Sequence, residues 1–267
     1  MDPVRLPLAV ERCRSISVVI PCLNDGDLLA HCLTSLQNQI VPADEVIVVD
    51  NGSVDDSADI AERYGARVVS EPRRGITWAM QTGCRAATGD VLFRIDADVV
   101  VPEDTIIRLH QTWDRADEYT GNLVVGLSGG AEFVTPGSYG RILSSLYMGA
   151  YWTTTRWALG HYPLFGTNCC IRSSWWKEID ESVDFSDTLV HEDLHLSFAV
   201  RPEETIWLQK DLVLPTDPRP LKGTRQMLCR FYRGFHTIWV NWKEQLPQER
   251  LSARGKLPDF IDTLVQR

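Results

Sequence analysis

A chain of 267 residues, 44% apolar and 24% charged, holds enough material for one large folded domain and argues against a disordered or fibrous protein. Its 27 basic and 36 acidic residues leave a formal charge of −9, which disfavours a nonspecific grip on nucleic acid. No uncharged apolar run reaches the roughly 18 residues of a membrane span, and seven scattered cysteines without a C-x-x-C pair suggest buried, reduced thiols, not a disulfide framework or zinc knot. The N-terminal stretch, broken by Glu11, Arg12 and Arg14, lacks the core of a signal peptide. A cytoplasmic protein is expected, with peripheral contact at the inner face of the plasma membrane as an option.

In chain order, the β-branched runs 16–20 and 45–49 read as buried strands, stopped by Pro21 and by Asp50-Asn51-Gly52. Between them Leu28, Leu29, Cys32, Leu33, Leu36 and Ile40 recur at helical spacing. A polar helix at about 55–64, a strand at 67–69, a helix at 76–87 and a strand at 91–95 follow, and Pro102 suits the first turn of a helix running to about Asp117. This alternation predicts an α/β fold with a mostly parallel sheet covered by helices on both faces, and ligands at the carboxyl ends of its strands. The second half is less regular, with a strand-like stretch at 122–127, an amphipathic pattern at 142–151 and a strand at 205–214. Residues 225–243 repeat apolar side chains, among them Leu228, Phe231, Tyr232, Phe235 and Trp239, with Arg225, Arg230, Arg233 and Lys243 between them. Such a helix either packs its apolar stripe on its own domain, the expectation here, or lies on an anionic membrane.

Chemistry gathers first at Arg94-Ile95-Asp96-Ala97-Asp98, an apolar strand ending in two carboxylates two residues apart and therefore on one side. Two hard oxygen donors there suit a divalent ion, Mn²⁺ or Mg²⁺, with positions left for a substrate diphosphate. Pro21-Cys22-Leu23-Asn24 follows the first strand, Asp50-Asn51-Gly52-Ser53-Val54-Asp55-Asp56-Ser57 the second, and Arg73-Arg74-Gly75 precedes the acidic strand. With Gly166-Thr167-Asn168 and Glu192-Asp193 further on, this series resembles the family 2 glycosyltransferases of the GT-A fold over about residues 16–200.

The resemblance implies a Rossmann-like, mixed but mostly parallel sheet in a single domain over residues 1–243. Its nucleotide-binding half would span about 16–100, its acceptor half about 101–243, and 244–267 would be a tail. It also implies that Pro21, Asn24 and Asp50 line the base and ribose pocket with Arg74 nearby. Asp98 would be the direct metal ligand, Asp96 would touch ribose or metal through water, and a histidine, His195 or His236, would complete the metal shell. Gly166, Thr167 and Asn168 would border the acceptor, and Asp193 of the Glu192-Asp193 pair would be the general base of an inverting transfer from a nucleotide-diphosphate sugar. Arg219, in the segment 218–223 with Lys222, offers a basic flap for the donor phosphates. The partners are thus a sugar nucleotide and an acceptor that is a glycan, lipid-linked or a small molecule.

One departure, one aromatic cluster and three rivals bear on this reading. Processive synthases of the family carry Q-x-x-R-W and membrane helices; here Gln226 to Phe231 is one residue longer and ends in Phe, so one transfer per encounter is expected. The cluster Tyr147, Tyr151, Trp152 and Trp157 near the acceptor region belongs to the core, the expectation here, or else stacks on a sugar or covers a lipid tail. His191-Glu192-Asp193-Leu194-His195 matches the H-E-x-x-H of zinc hydrolases, with Glu192 as base. Gly126-Leu127-Ser128-Gly129-Gly130 fits the nucleophile elbow G-x-S-x-G, though no helical pattern follows it. An inactive sugar-nucleotide-binding relative is the non-enzymatic alternative.

Overall fold

The run Ile16–Cys22 forms β1, buried at every residue, and continues through Pro21, which pairs with Val49 of β2 (Glu45–Asp50). Apolar side chains on both faces of such a strand require cover on both sides. Residues 14–135, 139–219 and 224–256 are described by the structure, a computed structural model. β1, β2, β3 (Arg67–Ser70) and β4 (Val91–Ile95) are parallel neighbours in the order β3-β2-β1-β4. The sheet extends through β6 (Asn168–Arg172), antiparallel to both β4 and β5 (Leu123–Phe133), and ends at β7 (Glu204–Thr216), parallel to β5. Seven strands, six in one direction and β6 against them, give the mixed, mostly parallel sheet expected.

Alternation along β1 divides the core in two. Ile16, Val18 and Ile20 meet Leu29, Cys32, Leu33 and Leu36 of α1 (Gly26–Gln37), and this layer continues to Ile106, Leu109 and Trp113 of α4 (Thr105–Glu118). Val19, Ile47 and Val49 face the other way, toward Ala79, Met80 and Cys84 of α3 (Ile76–Ala86) and Trp175, Trp176 and Ile179 of α6 (Ser173–Ile179). Gly83 lets α3 lie against the strands, since a Cβ there would stand 2.4 Å from Cγ1 of Val19. α2 (Ser57–Arg63) completes the first half.

Several boundaries differ from the sequence reading. Pro102 lies in the turn before α4, its carbonyl accepting from the Thr105 N–H. β5 runs on to Phe133, α5 spans Tyr139–Leu159, and β6 and α6 form where no regular element was predicted. Ser128 is fully buried within β5, opposite Cys169, so the G-x-S-x-G stretch makes no nucleophile elbow. Tyr147, Tyr151 and Trp152 pack with Ala131, Met148 and Phe165 as a small core cluster, whereas Trp157 is exposed. Cys22, Cys32, Cys84, Cys169 and Cys170 are buried free thiols, while Cys229 is exposed.

α8 (Thr224–Trp242) overturns the expected packing. Its polar edge faces α7 (Glu192–Phe198): Thr237 Oγ1 accepts from the His191 N–H, Asn241 bonds His195, and Arg233 donates to the carbonyls of Leu189 and Val190. Leu228, Phe231, Tyr232, Phe235 and Trp239 are left facing outward. Those hydrogen bonds sit where an apolar stripe would have had to lie, so the helix is turned with its apolar side away from the domain.

The stretch set apart as a tail also contributes structure. Arg250, from α9 (Pro247–Ala253), is buried and donates to the carbonyls of Leu159, Ser197, Phe198 and Val200 at the ends of α5 and α7. A cation beside helix C-termini is favourable in itself, and here it also pairs with unsatisfied carbonyls. Beside it, burial and Arg254 pull the His161 pKa down to about 3, and the neutral ring accepts from Arg250 through Nε2. Replacing Arg250 by alanine is expected to cost about 3 kcal/mol, because several carbonyls lose one charged donor. Urea unfolding of the two proteins checks this, and a difference below about 1 kcal/mol would show water serving those carbonyls equally well.

Candidate functional site

Four parallel strands release their chains at one edge, and β6, running the other way, begins there, with Asn168 opposite Ile95. The loops after β1, β2 and β4 and the residues ahead of β6 therefore meet. Asn24 follows β1 with φ 55°, a left-handed conformation that asparagine tolerates, and its Oδ1 accepts from the Val54 N–H at 2.7 Å. Asp50, the last residue of β2, accepts from the Ser53 N–H at 2.9 Å. Asn51 holds the next loop, donating to the carbonyls of Glu71 and Arg73 while accepting from the Gly75 N–H. Pro21 is buried at the end of β1 and Arg74 is exposed on the rim. The more constrained cation is its neighbour Arg73, stacked on Trp78 and paired with Glu71, whose pKa it holds down at about 2.

Arg94 organises the floor of the site. It is 5% exposed, and its guanidinium reaches Asp96 Oδ1 and Glu192 Oε1, each at 2.9 Å. Burial opposes its charge, but Asp96 and Glu192 prevail and hold it more firmly protonated than usual. Burial raises the Glu192 carboxyl, with Arg94 opposing. Glu192 is thus committed to Arg94, and Asp96 has both oxygens engaged, since Thr167 Oγ1 donates to its Oδ2 at 2.7 Å. Gly166 must be glycine here: a Cβ would lie 2.6 Å from Arg94 Nη1 and 3.0 Å from Glu192 Oε1.

Asp193, one residue into α7, is held by two backbone donors, the Gly166 N–H at 2.7 Å and the Leu194 N–H at 2.8 Å. Tyr147 and Tyr151 lie close enough for its charge to act on them. Asn168, expected at the acceptor, is instead fully buried and donates to the carbonyls of Gly130 and Leu212, which ties β5 to β7. Its place as the first residue of β6 turns it into the core, while Gly166 and Thr167 stay at the edge.

Asp98 is served by Thr216 Oγ1 at 3.3 Å and by Arg219 at 3.2 Å. Arg219 also reaches Asp25 Oδ1 at 2.6 Å, so one guanidinium bridges acidic groups from two loops. Burial raises the Asp98 carboxyl, Asp96 adds to this, and Arg219 works against it. Two hard oxygen donors on one loop, Asp98 and Asp96, fit a divalent cation. Lys222 and Gly223 of the basic segment lie outside the described residues.

The two histidines do not join this pair. Among the described residues no group of three or more His, Cys, Asp or Glu side chains is arranged to hold a metal ion. His236 Nε2 lies 2.6 Å from Asp187, and His195 bonds the Asp184 carbonyl and Asn241. His191 sits ahead of α7, at its N-cap, and bonds the Arg230 carbonyl. The imidazoles of H-E-x-x-H thus serve different neighbours, and Glu192 between them serves Arg94, which removes the zinc-hydrolase reading. Sequence reasoning overlooked Arg94 and Asp25 as members of the site. For Arg94 the signal was present, a lone charge in the otherwise apolar strand Val91–Ile95.

Comparison with known proteins agrees with this arrangement. A glycosyltransferase of Mycobacterium tuberculosis described as uncharacterized, Rv0539, is 39% identical over 109 residues, 40% of this chain and 48% of that protein. GlyG of Streptococcus pneumoniae is 32% identical over 117 residues, 42% of this chain and 38% of its own. The matched stretch spans about half the length, or less, of these curated relatives. Among solved structures, a mannosyltransferase from Pyrobaculum calidifontis in complex with GDP-Man and Mn²⁺ superposes with a TM-score of 0.65 at 19% identity, over 90% of this chain and 68% of that one. Glucosyl-3-phosphoglycerate synthase from Mycobacterium tuberculosis with Mg²⁺ and UDP gives 0.53 at 23% identity, over 92% and 82%. These likenesses establish the GT-A fold. The family model described as "Glycosyl transferase family 2" matches residues 17–172, from β1 to the end of β6, and the chain belongs to that family.

Proposed function

We propose that this chain moves a hexosyl group from a nucleotide-diphosphate sugar to an acceptor hydroxyl, with inversion at the anomeric carbon and one transfer per encounter. The observation that carries the reading is Asp193, fixed by two backbone N–H groups at the same sheet edge as Asp96 and Asp98 and next to the Glu192–Arg94–Asp96 chain. A carboxylate so held can take the acceptor proton while the oxygen bonds the anomeric carbon and the bond to the diphosphate breaks, its electron pair leaving with phosphate. Glu192 and Arg94 are positioning residues in this scheme. Asn24 and Asp50 would contact base and ribose, with Pro21 as wall and Arg74 at the mouth; Gly166 and Thr167 would border the acceptor.

Asp98, with Asp96 behind it, would hold a divalent ion, Mn²⁺ or Mg²⁺, whose charge offsets that building on the leaving diphosphate. Arg219, which bridges Asp25 and Asp98, would then be free to turn toward the phosphates.

Calorimetric titration of metal-stripped protein with UDP, GDP and dTDP, each with Mn²⁺, with Mg²⁺ and with neither, tests this. One diphosphate is expected to bind, and only beside a divalent ion. Asp98→Ala should weaken that binding by about 100-fold or more, since even the outer partners of a metal ligand are worth about 10- to 100-fold. Absence of nucleotide binding under every condition would overturn the reading.

A further inference from the structure

α5 and α8 are the two longest helices among the described residues, and all 36 acidic residues of the chain lie outside them. α5 carries Arg141 and Arg156; α8 carries Arg225, Arg230 and Arg233, with Lys243 just beyond its end. In a chain of net charge −9 this is a local reversal of sign. The helices adjoin, because the Arg230 guanidinium lies beside the Tyr147 hydroxyl.

Both present apolar side chains to solvent at helical spacing. On α8, Leu228, Phe231, Tyr232, Phe235 and Trp239 recur as one stripe, with Phe235 72% and Trp239 63% exposed. On α5, Tyr139, Ile142, Leu146 and Trp157 do the same, with Leu146 67% and Trp157 75% exposed. Exposed aromatic side chains in such number need an occupant. The flank of the α8 stripe is cationic: Arg230 is exposed, and Lys243 stands 5.9 Å over the Trp239 ring.

We propose that α5 and α8 form a docking face for an anionic lipid surface, with the aromatic stripe entering the interfacial layer and the exposed Arg230 and Lys243 meeting lipid phosphates. Tryptophan and tyrosine favour that layer because their rings are amphipathic, and basic residues beside an apolar face add attraction to anionic headgroups. The remaining net negative charge would keep the other faces of the protein off the same surface. Among the described residues no helix is long and apolar enough to cross a membrane, so the contact is peripheral as far as these helices go.

Co-sedimentation of the full chain with phosphatidylcholine vesicles, and with vesicles that also contain phosphatidylglycerol, tests the proposal. The expected result is binding to the anionic vesicles, weakened by high salt, with a blue shift of tryptophan emission. A Phe235→Ser, Trp239→Ser double variant should lose at least about tenfold in partition, since two large apolar side chains no longer enter the interface. Both side chains are largely exposed, and an unchanged circular dichroism spectrum would establish that the variant folds. Equal partition of variant and parent, indifference to lipid charge, or a concentration-dependent dimer abolished by the same substitutions would overturn it, the last assigning the face to a second copy. Neither donor nor acceptor enters the measurement, so its outcome is independent of the catalytic reading.

Discussion

Asp193→Asn is expected to lower turnover by about 10³-fold while leaving nucleotide binding within about twofold of the parent. The side chain keeps its size, and the amide oxygen can still accept from the Gly166 N–H, which bonds the carboxylate at 2.7 Å. What disappears is the ability to take a proton. Release of the nucleoside diphosphate, followed with the donor identified by calorimetry, measures the first quantity, and the same calorimetry measures the second. A fully active variant would remove Asp193 from the chemistry. A variant that is inactive because it no longer binds nucleotide would make it part of the donor site. The equivalent change at Glu192 should behave differently, because its carboxylate faces Arg94 and its loss would disturb position and stability together.

Arg94→Gln should be the most damaging single change to folding. Asp96 and Glu192 each stand 2.9 Å from its guanidinium, and Glu192 is nearly as buried as Arg94 itself. Removing the cation leaves two carboxylates close together without a counter-charge, for which about 3 to 5 kcal/mol is the ordinary cost. Chemical denaturation checks the size of the loss. The companion Arg94→Gln, Glu192→Gln double variant separates charge from packing: if uncompensated charge dominates, the second substitution restores part of what the first removed. Simple additivity of the two losses would show that shape, not charge, holds this floor in place.

The first half of the chain was legible because its signals are local. β-branched runs such as 16–20 and 45–49, each followed by turn residues, favour strands over buried helix, and the helical spacing between them fixed a β-α-β order whose parallel sheet opens its ligand edge after β1, β2 and β4. Pro21, Asn24, Asp50 and the Asp96–Asp98 pair stand at that edge for this reason alone, and their order in sequence was enough to suggest the family. Glu192-Asp193 was likewise visible as an acidic pair, but its two members take different surroundings only in the folded chain: Glu192 turns down to Arg94 and Asp193 is caught by the Gly166 N–H. A single strand direction decided the fate of the acceptor triplet, since antiparallel β6 buries Asn168 and leaves Gly166 and Thr167 at the edge. His236 went to Asp187 because α8 is anchored by its polar edge, and the same anchoring turned the aromatic stripe outward. An apolar periodicity tells that a helix has two faces. Which face meets the protein depends on hydrogen bonds to α7 and its flanking loop from 40 or more positions away, and no local pattern in the sequence encodes them.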